Sequence, residues 1–271
     1  MTECKIFHEG RKNLDKRGEE WYNNFVLDGV PSEKTKRKET NMHNRMMKAV
    51  CLILAVLMLS VCFVACDKDP FDDAASAGAN GKVDMTAVKA AINSMKTEEF
   101  EETSKKTNYV RLTVKDHGDI VIRLCPDIAP ISVKNFQKLV GNHFYDGLTF
   151  HRVMKNFMIQ GGDPKGDGTG GSDTIKGEFA ANGVTNNLSH VAGVISMARL
   201  SYPLDSASCQ FFICNADPTY LDGQYAAFGF VVAGMETVYS ISDVAVGGSA
   251  GTTPLETVVI EKACFVEIEA K

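Results

Sequence analysis

The chain has 271 residues, 44% of them hydrophobic, which is enough to bury one sizeable core with additional segments. Its formal net charge is -5 and its pI is about 5.7, so it has no general basic field that would collect nucleic acid. We therefore predict one globular domain and no nucleic-acid partner.

Residues 1–41 precede the first apolar run and do not resemble a secretory leader. They carry many charges of both signs and the only tryptophan, Trp21. Met42, Met46 and Met47 each lie where a start would leave a compact basic segment before the apolar run. We expect residues 1–41 either to be untranslated or to form a cytoplasmic extension.

An almost unbroken apolar run over residues 49–65 follows Arg45 and Lys48, which is the layout of a secretory signal. At about 17 residues the run is near the lower limit for spanning a ~30 Å hydrocarbon layer, so a permanent transmembrane helix is the alternative. The sequence Phe63-Val64-Ala65-Cys66 resembles a bacterial lipobox, in which a small residue precedes a cysteine that receives a diacylglycerol.

The lipobox resemblance implies that residues 42–65 are a lipoprotein signal peptide and that Cys66 carries a lipid anchor. The alternative is a core or membrane cysteine that is never modified. With the anchor, the protein is an exported, membrane-anchored lipoprotein of a bacterium that faces the periplasm or the cell surface.

A tract rich in Asp, Ala, Gly and Ser follows over residues 67–82 and predicts a flexible tether. Behind Asp84, a candidate N-cap, apolar residues recur at helical spacing and predict a short amphipathic helix. These residues are Met85, Val88, Ile92 and Met95. The helix either packs on the domain, is solvated, or binds a partner. We assign residues 66–106 to the anchor, tether and helix, and residues 107–271 to the globular domain.

The globular part begins with two alternating stretches, residues 109–114 and 119–124, on either side of a His117-Gly118 turn. This pattern predicts a β-hairpin. Apolar spacing predicts a helix over residues 129–140, with Pro130 in its first turn and Gly141 at its end.

The rest of the chain is also predicted to contain several short strands. Residues 149–230 alternate short apolar stretches with glycine-rich turns, a second helix is expected over residues 235–241, and residues 257–268 form a final strand. Many short strands with two separated helices predict a mainly β fold that closes into a barrel.

Several other kinds of site fit poorly, and we expect neither a cofactor nor a metal. The glycine-rich stretch 161–171 lacks the Gly-Lys-Ser/Thr ending of a phosphate loop. Lys165 occupies a ligand position of a calcium loop, and His143 and His151 lack other zinc ligands at suitable spacing. The serines that we considered as nucleophiles have no nucleophile-elbow context and no histidine partner. They are Ser196, Ser206 and Ser208.

Four cysteines belong to the exported domain: Cys125, Cys209, Cys214 and Cys264. An even number outside the cytoplasm permits disulfides without fixing their connectivity. Cys209 and Cys214 are expected in one strand with opposed side chains, which excludes a bond between them. Buried free thiols are the favoured reading.

Three segments carry the functional signal. Residues 150–163 set an arginine, a glutamine and two large apolar residues ahead of a glycine turn; residues 206–213 combine an amide with aromatic rings; and Tyr-Leu-Asp-Gly follows at 220–223. Together they resemble the cyclophilins, the peptidyl-prolyl cis-trans isomerases, from about residue 108 to residue 268. The resemblance implies a closed eight-stranded antiparallel β-barrel capped by two α-helices.

The resemblance also implies an isomerase that assists folding of exported proteins, with proline-containing peptides and unfolded exported proteins as partners. Rotation about an X-Pro bond faces a barrier of roughly 20 kcal/mol and needs no nucleophile. An apolar pocket and a fixed guanidinium that stabilises the twisted amide can lower the barrier. By resemblance, Arg152 is that guanidinium and Gln160 is the amide beside it. The implied substrate-binding residues are His151, Phe157, Met158, Ala198, Gln210, Phe212, Tyr220, Leu221 and Tyr225.

Departures from the family pattern concern the rim of the groove. Tyr220 and Tyr225 replace a tryptophan and a histidine of many eukaryotic members, and Arg199 replaces an asparagine, as in bacterial-type members. Cyclosporin binding is implied but expected to be weak, because Tyr220 lacks the indole N–H. The alternative function is a non-catalytic proline-peptide binding, adhesion or scaffolding module; Arg152 and Gln160 favour the enzyme.

Overall fold

The computed structural model of the protein describes residues 69–75 and 82–269. The upstream segment 1–41, the expected signal peptide 42–65 and the expected lipidation site Cys66 lie outside these residues. Among the described residues, no helix is long and apolar enough to cross a membrane.

The described chain contains four α-helices and eleven strands. The helices are α1 (Asp72–Ala75), α2 (Met85–Ala91), α3 (Pro130–Gly141) and α4 (Met235–Ser242). The strands are β1 (Phe100–Glu102), β2 (Tyr109–Val114), β3 (Gly118–Leu124), β4 (Arg152–Met154), β5 (Met158–Gly161), β6 (Val194–Met197), β7 (Phe211–Cys214), β8 (Ala227–Ala233), β9 (Val246–Gly247), β10 (Thr253–Pro254) and β11 (Ile260–Ile268).

Nine strands form one antiparallel sheet in the order β1-β11-β2-β3-β8-β6-β7-β5-β4, while β9 and β10 pair separately. The predicted β2–β3 hairpin is confirmed, with unbroken register from Tyr109 opposite Arg123 to Val114 opposite Gly118. Gly118 has a φ of 110°, a conformation that glycine adopts without strain, so the turn lies where the sequence predicted it.

Helices α3 and α4 pack against the sheet through their apolar faces. The Phe136 ring of α3 lies 5.5 Å from the ring of Phe211 and 5.2 Å from that of Phe228 in the main core. On α4, Val238 and Ile241 are fully buried. Both helices were predicted within one residue at each end. Gly141, expected to stop α3, is instead its last helical residue.

The predicted amphipathic helix is α2, which Asp84 caps by accepting from the N–H of Thr86 at 2.9 Å. It packs on the domain, since Val88 and Ala91 are buried in a cluster with residues of the sheet. The helix ends at Ala91, earlier than its apolar spacing suggested. Met95 lies beyond the helix and donates its N–H to the carbonyl of Val232 in β8. The apolar face of α2 is therefore occupied within the chain.

The sequence predicted a flexible tether over residues 67–82, and the structure differs at residues 69–75. Phe71 is buried against the sheet. Arg123, only 3% exposed, directs its Nε to Asp69 Oδ2 at 2.6 Å. A buried guanidinium needs a counter-charge, and this part of the segment supplies it.

The outer strands β1 and β4 are not joined by a ladder among the described residues. Isolated bridges connect Thr149 to Asp163, just beyond β5, and to Val259, just before β11. The fold is thus mainly β, as expected, with the two predicted helices α3 and α4 against the sheet and the residues of α1 and α2 packed on it as well. Its closure into an eight-stranded barrel is not shown by continuous pairing.

Candidate active site

The hairpin of β4 and β5 carries the two expected catalytic side chains. Arg152 is directly opposite Gln160 in this hairpin, and Gln160 is opposite Phe212 on β7. Directly opposite residues of antiparallel strands point to the same face of a sheet. The register therefore sets a guanidinium, an amide and a phenyl ring in one row.

A directional chain of hydrogen bonds fixes these polar groups. Arg152 Nη1 donates to Gln160 Oε1 at 3.0 Å, and Gln160 Nε2 donates to Gln210 Oε1 at 2.9 Å. Gln210 Nε2 in turn donates to the carbonyls of Gly168 at 3.1 Å and Gly170 at 2.7 Å. Each amide is thus oriented by its neighbour, and the chain ends on backbone.

Arg152 keeps its charge available. Its Nη2 lies 3.1 Å from the sulfur of Met154, and within the described residues no carboxylate forms an ion pair with it. A guanidinium stays protonated at any physiological pH. Within the described residues, the guanidinium of Arg152 is thus held by hydrogen bonds and has no ion-pair partner.

An apolar cluster separate from the main core lies beside this charge. Its buried members are Met158, Phe212, Cys214 and Leu221, with Met154, Phe157, Ala198 and Tyr225 packed against them. The ring of Phe212 meets that of Tyr225 edge-on at 5.8 Å. The cluster forms an apolar recess beside Arg152, here called the recess.

Charge and recess share one cleft of about 490 Å³, here called the first cleft. Nine of the predicted site residues line it: His151, Arg152, Phe157, Met158, Gln160, Ala198, Phe212, Leu221 and Tyr225. The structure therefore brings together predicted residues up to 74 positions apart in the chain, from His151 to Tyr225. Their catalytic and binding roles stay predictions.

Two predicted residues lie elsewhere. Gln210 lines a neighbouring second cleft of about 300 Å³ and reaches the first through Gln160. Tyr220 lines neither cleft; it is 72% exposed and stacks on the ring of Phe157 at 6.1 Å. Tyr220 thus extends the apolar wall outward.

Sequence reasoning missed one wall of the first cleft. Ser249, Ala250, Thr252 and Thr253 lie there, and Val153 N–H donates to Thr252 O at 2.7 Å. The glycines and small residues at 247–251 are compatible with a turn, but no local pattern shows that this segment reaches the cleft. Asp167 and Gly168 also line this cleft without having been predicted to do so, and Arg199, expected at the rim of the groove, lines it as well.

The prediction that no histidine pairs with Ser196 is wrong. His190 Nε2 lies 3.1 Å from Ser196 Oγ, and His190 Nδ1 lies 2.8 Å from Asp222 Oδ1. Ser196 and His190 are both buried, so this trio is closed to substrate and supports no nucleophilic chemistry. The His190 ring instead stacks on Phe212, 6.0 Å away and 17° from parallel.

Protonation of this trio follows from its surroundings. Burial lowers the pKa of His190 below its ordinary value, although Asp222 opposes the shift. Burial acts to raise the pKa of Asp222, but hydrogen bonds from Ser189 and His190 hold it below its ordinary value. A neutral His190 therefore donates a hydrogen bond from Nδ1 to Asp222 and accepts a hydrogen bond from the Ser196 hydroxyl at Nε2.

Asp163 holds the glycine-rich loop after β5 through its carboxylate. The buried carboxylate accepts the N–H of Lys165 at 2.9 Å and that of Asp167 at 3.1 Å. Gly168 N–H donates to it as well, at 2.5 Å. In residues 69–75 and 82–269, no three His, Cys, Asp or Glu residues are placed to hold a metal ion.

In the first cleft, burial lowers the pKa of His151 below its ordinary value.

The four cysteines Cys125, Cys209, Cys214 and Cys264 are buried free thiols.

Residues 109–264 match the family model described as cyclophilin type peptidyl-prolyl cis-trans isomerase/CLD. The chain is 43% identical over 139 residues to peptidyl-prolyl cis-trans isomerase B of Bacillus subtilis, covering 51% of this chain and 92% of that protein. It is 40% identical over 168 residues to the isomerase CYP65 of Arabidopsis thaliana, covering 61% of this chain but only 27% of that protein.

Solved structures agree with the sequence matches. The cyclophilin type peptidyl-prolyl cis-trans isomerase of Cryptosporidium parvum, crystallised in the presence of the dipeptide Ala-Pro, superposes with a TM-score of 0.53 at 28% identity. The match covers 60% of this chain and 99% of that one.

Proposed function

The chain belongs to the cyclophilin-type peptidyl-prolyl cis-trans isomerase family and is such an isomerase; we propose that it lowers the rotation barrier through the guanidinium of Arg152. The observation that carries the proposal is the guanidinium of Arg152, which has no ion-pair partner within the described residues and lies beside the apolar recess in the first cleft. A proline ring is apolar, and the amide that precedes it is polar, so the two halves of the cleft match the two halves of an X-Pro unit.

Catalysis here requires no bond to be made or broken. In the planar amide, resonance withdraws electron density from the proline nitrogen; in the twisted amide that density returns to the nitrogen. A guanidinium fixed beside the amide interacts more strongly with the twisted form, and only such a difference between the two states accelerates rotation.

Gln160 and Gln210 position the guanidinium. The Arg152–Gln160–Gln210 chain ends on two backbone carbonyls, so Arg152 cannot swing away without breaking hydrogen bonds. A preorganised charge needs no reorganisation during rotation. The Phe212 recess holds the ring in place while the preceding carbonyl turns.

We also propose that the substrates are X-Pro segments of unfolded exported proteins and that the enzyme works at a bacterial membrane surface. The lipobox-like Phe63-Val64-Ala65-Cys66 and the apolar run before it support this setting. Support for the ligand class comes from the neighbouring structure obtained in the presence of Ala-Pro.

A closed barrel is part of the same proposal. The bridges of Thr149 to Asp163 and to Val259 link the β5 end of the sheet with the β11 end. Ile260 N–H also donates to Leu148 O at 2.8 Å. These contacts support closure through residues 147–150.

A protease-coupled isomerisation assay on residues 67–271 tests the function. The wild type should accelerate cleavage of an Ala-Pro peptide. Phe212→Ala should lose both peptide binding and turnover because it opens the recess, whereas Tyr239→Ala, an exposed aromatic residue of α4, should keep wild-type kcat/KM. A wild type that gives no acceleration would contradict the proposal.

A further inference from the structure

Arg199 occupies an unusual position between the two clefts. It lines both, while its guanidinium carbon lies 4.9 Å from the ring centre of Phe179 and 4.7 Å from that of Tyr225. A guanidinium held between two aromatic faces is restricted to one plane. Arg199 is therefore a second preorganised cation, distinct from Arg152.

Hydrogen bonds fix Arg199 further and leave part of it unused. Nε donates to Gln224 O at 2.8 Å, and Nη1 donates to Leu200 O at 2.7 Å and Ser201 O at 3.1 Å. Within the described residues, Nη2 has no hydrogen-bond acceptor and the guanidinium has no carboxylate partner. Two N–H groups are thus available on a cation whose orientation is already set.

The second cleft offers a carboxylate no competing charge. Of the residues that the structure describes, Arg199 is the only charged one that lines it; the others are glycines, hydroxyl residues, two glutamines, an alanine and a leucine. The adjacent carboxylates have partners of their own: Asp167 accepts from Thr169, and Asp205 accepts from Gly177 and Asn182.

We propose that Arg199 is a specificity-determining residue that selects X-Pro substrates with an acidic side chain within two residues of the proline. This inference rests on the proposed use of the first cleft for the proline ring. Because the two clefts adjoin at Gln160, Ala198 and Arg199, a peptide seated in the first cleft can place a neighbouring side chain in the second. A carboxylate there accepts from Nη2 of Arg199.

The test compares peptides that carry Glu or the isosteric Gln at one of four positions, one or two residues before or after the proline. Equilibrium exchange NMR gives kcat/KM for each. At one position, the wild type should prefer Glu over Gln by about three- to fivefold at low salt, which is the upper part of what an exposed ion pair contributes, and less at high salt. The position that responds also reports the direction of the bound peptide.

Arg199→Gln should reduce that ratio to about one, whereas Lys165→Gln, which removes an exposed charge that lines neither cleft, should keep it. Since Arg199 also holds residues 200 and 201, absolute rates can fall in the variant; the ratio is insensitive to such a general loss. If Arg199→Gln does not fold, the salt dependence of the wild-type ratio and the shift of the Arg199 Nε–H resonance on adding Glu peptide decide instead.

A wild-type ratio of one at every position, with both peptides isomerised, overturns the inference and leaves the isomerase function intact. Retention of the preference in Arg199→Gln also overturns it. Loss of turnover on Glu and Gln peptides alike in the wild type would count against the proposed function itself.

Discussion

His190→Leu tests whether the buried trio behind the recess supports the site. The substitution removes the hydrogen bond from His190 Nδ1 to Asp222 and the one between His190 Nε2 and the Ser196 hydroxyl. It also removes the flat imidazole ring on which Phe212 stacks. Leucine fills much of the same volume, so the effect reports polar contacts and ring packing rather than an empty cavity.

The magnitude follows from the contacts. A buried hydroxyl left without a partner costs about 1–3 kcal/mol, and a hydrogen bond to a charged acceptor contributes about 1.5–3 kcal/mol. The apolar burial of leucine offsets part of this, so we expect a loss of about 2–4 kcal/mol in the free energy of unfolding. Because Phe212 loses its stacking partner, kcat/KM should also fall by about threefold or more.

The pH dependence gives a second readout. The folded state keeps His190 neutral to lower pH than the unfolded chain does, so protons bind preferentially to the unfolded chain as pH falls below about 6.5. Stability therefore falls on acidification, by up to ~1.4 kcal/mol per pH unit for each such histidine. His151 acts with the same sign, so His190→Leu should flatten the profile without abolishing its slope.

Urea denaturation at several pH values measures both effects, with His143→Asn as the control. His143 is largely exposed, contacts Asp146 at 3.1 Å and has a φ of 54°, a conformation that asparagine tolerates, so this substitution should cost no more than about 0.5 kcal/mol. If His190→Leu destabilises the protein no more than His143→Asn and leaves kcat/KM unchanged, the supporting role of the trio is refuted.

Three further predictions concern the anchor, the rim and the N-terminal packing. Cys66→Ala should abolish labelling by a clickable fatty acid; equal labelling of wild type and variant would exclude the anchor. Tyr220→Trp should tighten cyclosporin binding, because it restores an indole N–H and apolar area at the rim. A titration with no gain in affinity would contradict the assignment of this position. Phe71→Ala should cost about 3–5 kcal/mol in urea denaturation, since this ring is buried against Phe230; an unchanged midpoint would mean that residues 69–75 do not stabilise the domain.

Local patterns in the sequence were enough to predict those parts of the fold and the site that lie within a single hairpin. Alternation and turn residues predicted β2 and β3, and the motif around Arg152 and Gln160 lies on a hairpin whose register sets the two side chains opposite each other. Strand period and turn chemistry are properties of neighbouring residues, so they can be read without the fold.

Contacts between distant segments could not be predicted in this way. His190 and Asp222 are 32 residues apart, and neither lies in a pattern that names its partner. The wall formed by residues 249–253 follows from how β9 and β10 meet the β4–β5 hairpin. The composition of residues 69–75 predicted a tether. The structure differs because Asp69 pairs with the buried guanidinium of Arg123, a residue far away in the sequence.

The central claim is that Arg152 stabilises the twisted amide more than the planar one. Equilibrium exchange NMR on an Ala-Pro peptide measures interconversion directly, and chemical-shift titration of the same sample measures binding. Arg152→Ala should slow catalysed exchange at least about tenfold, equivalent to about 1.4 kcal/mol, while the peptide still binds in the first cleft. Exchange at the wild-type rate in Arg152→Ala would contradict the account.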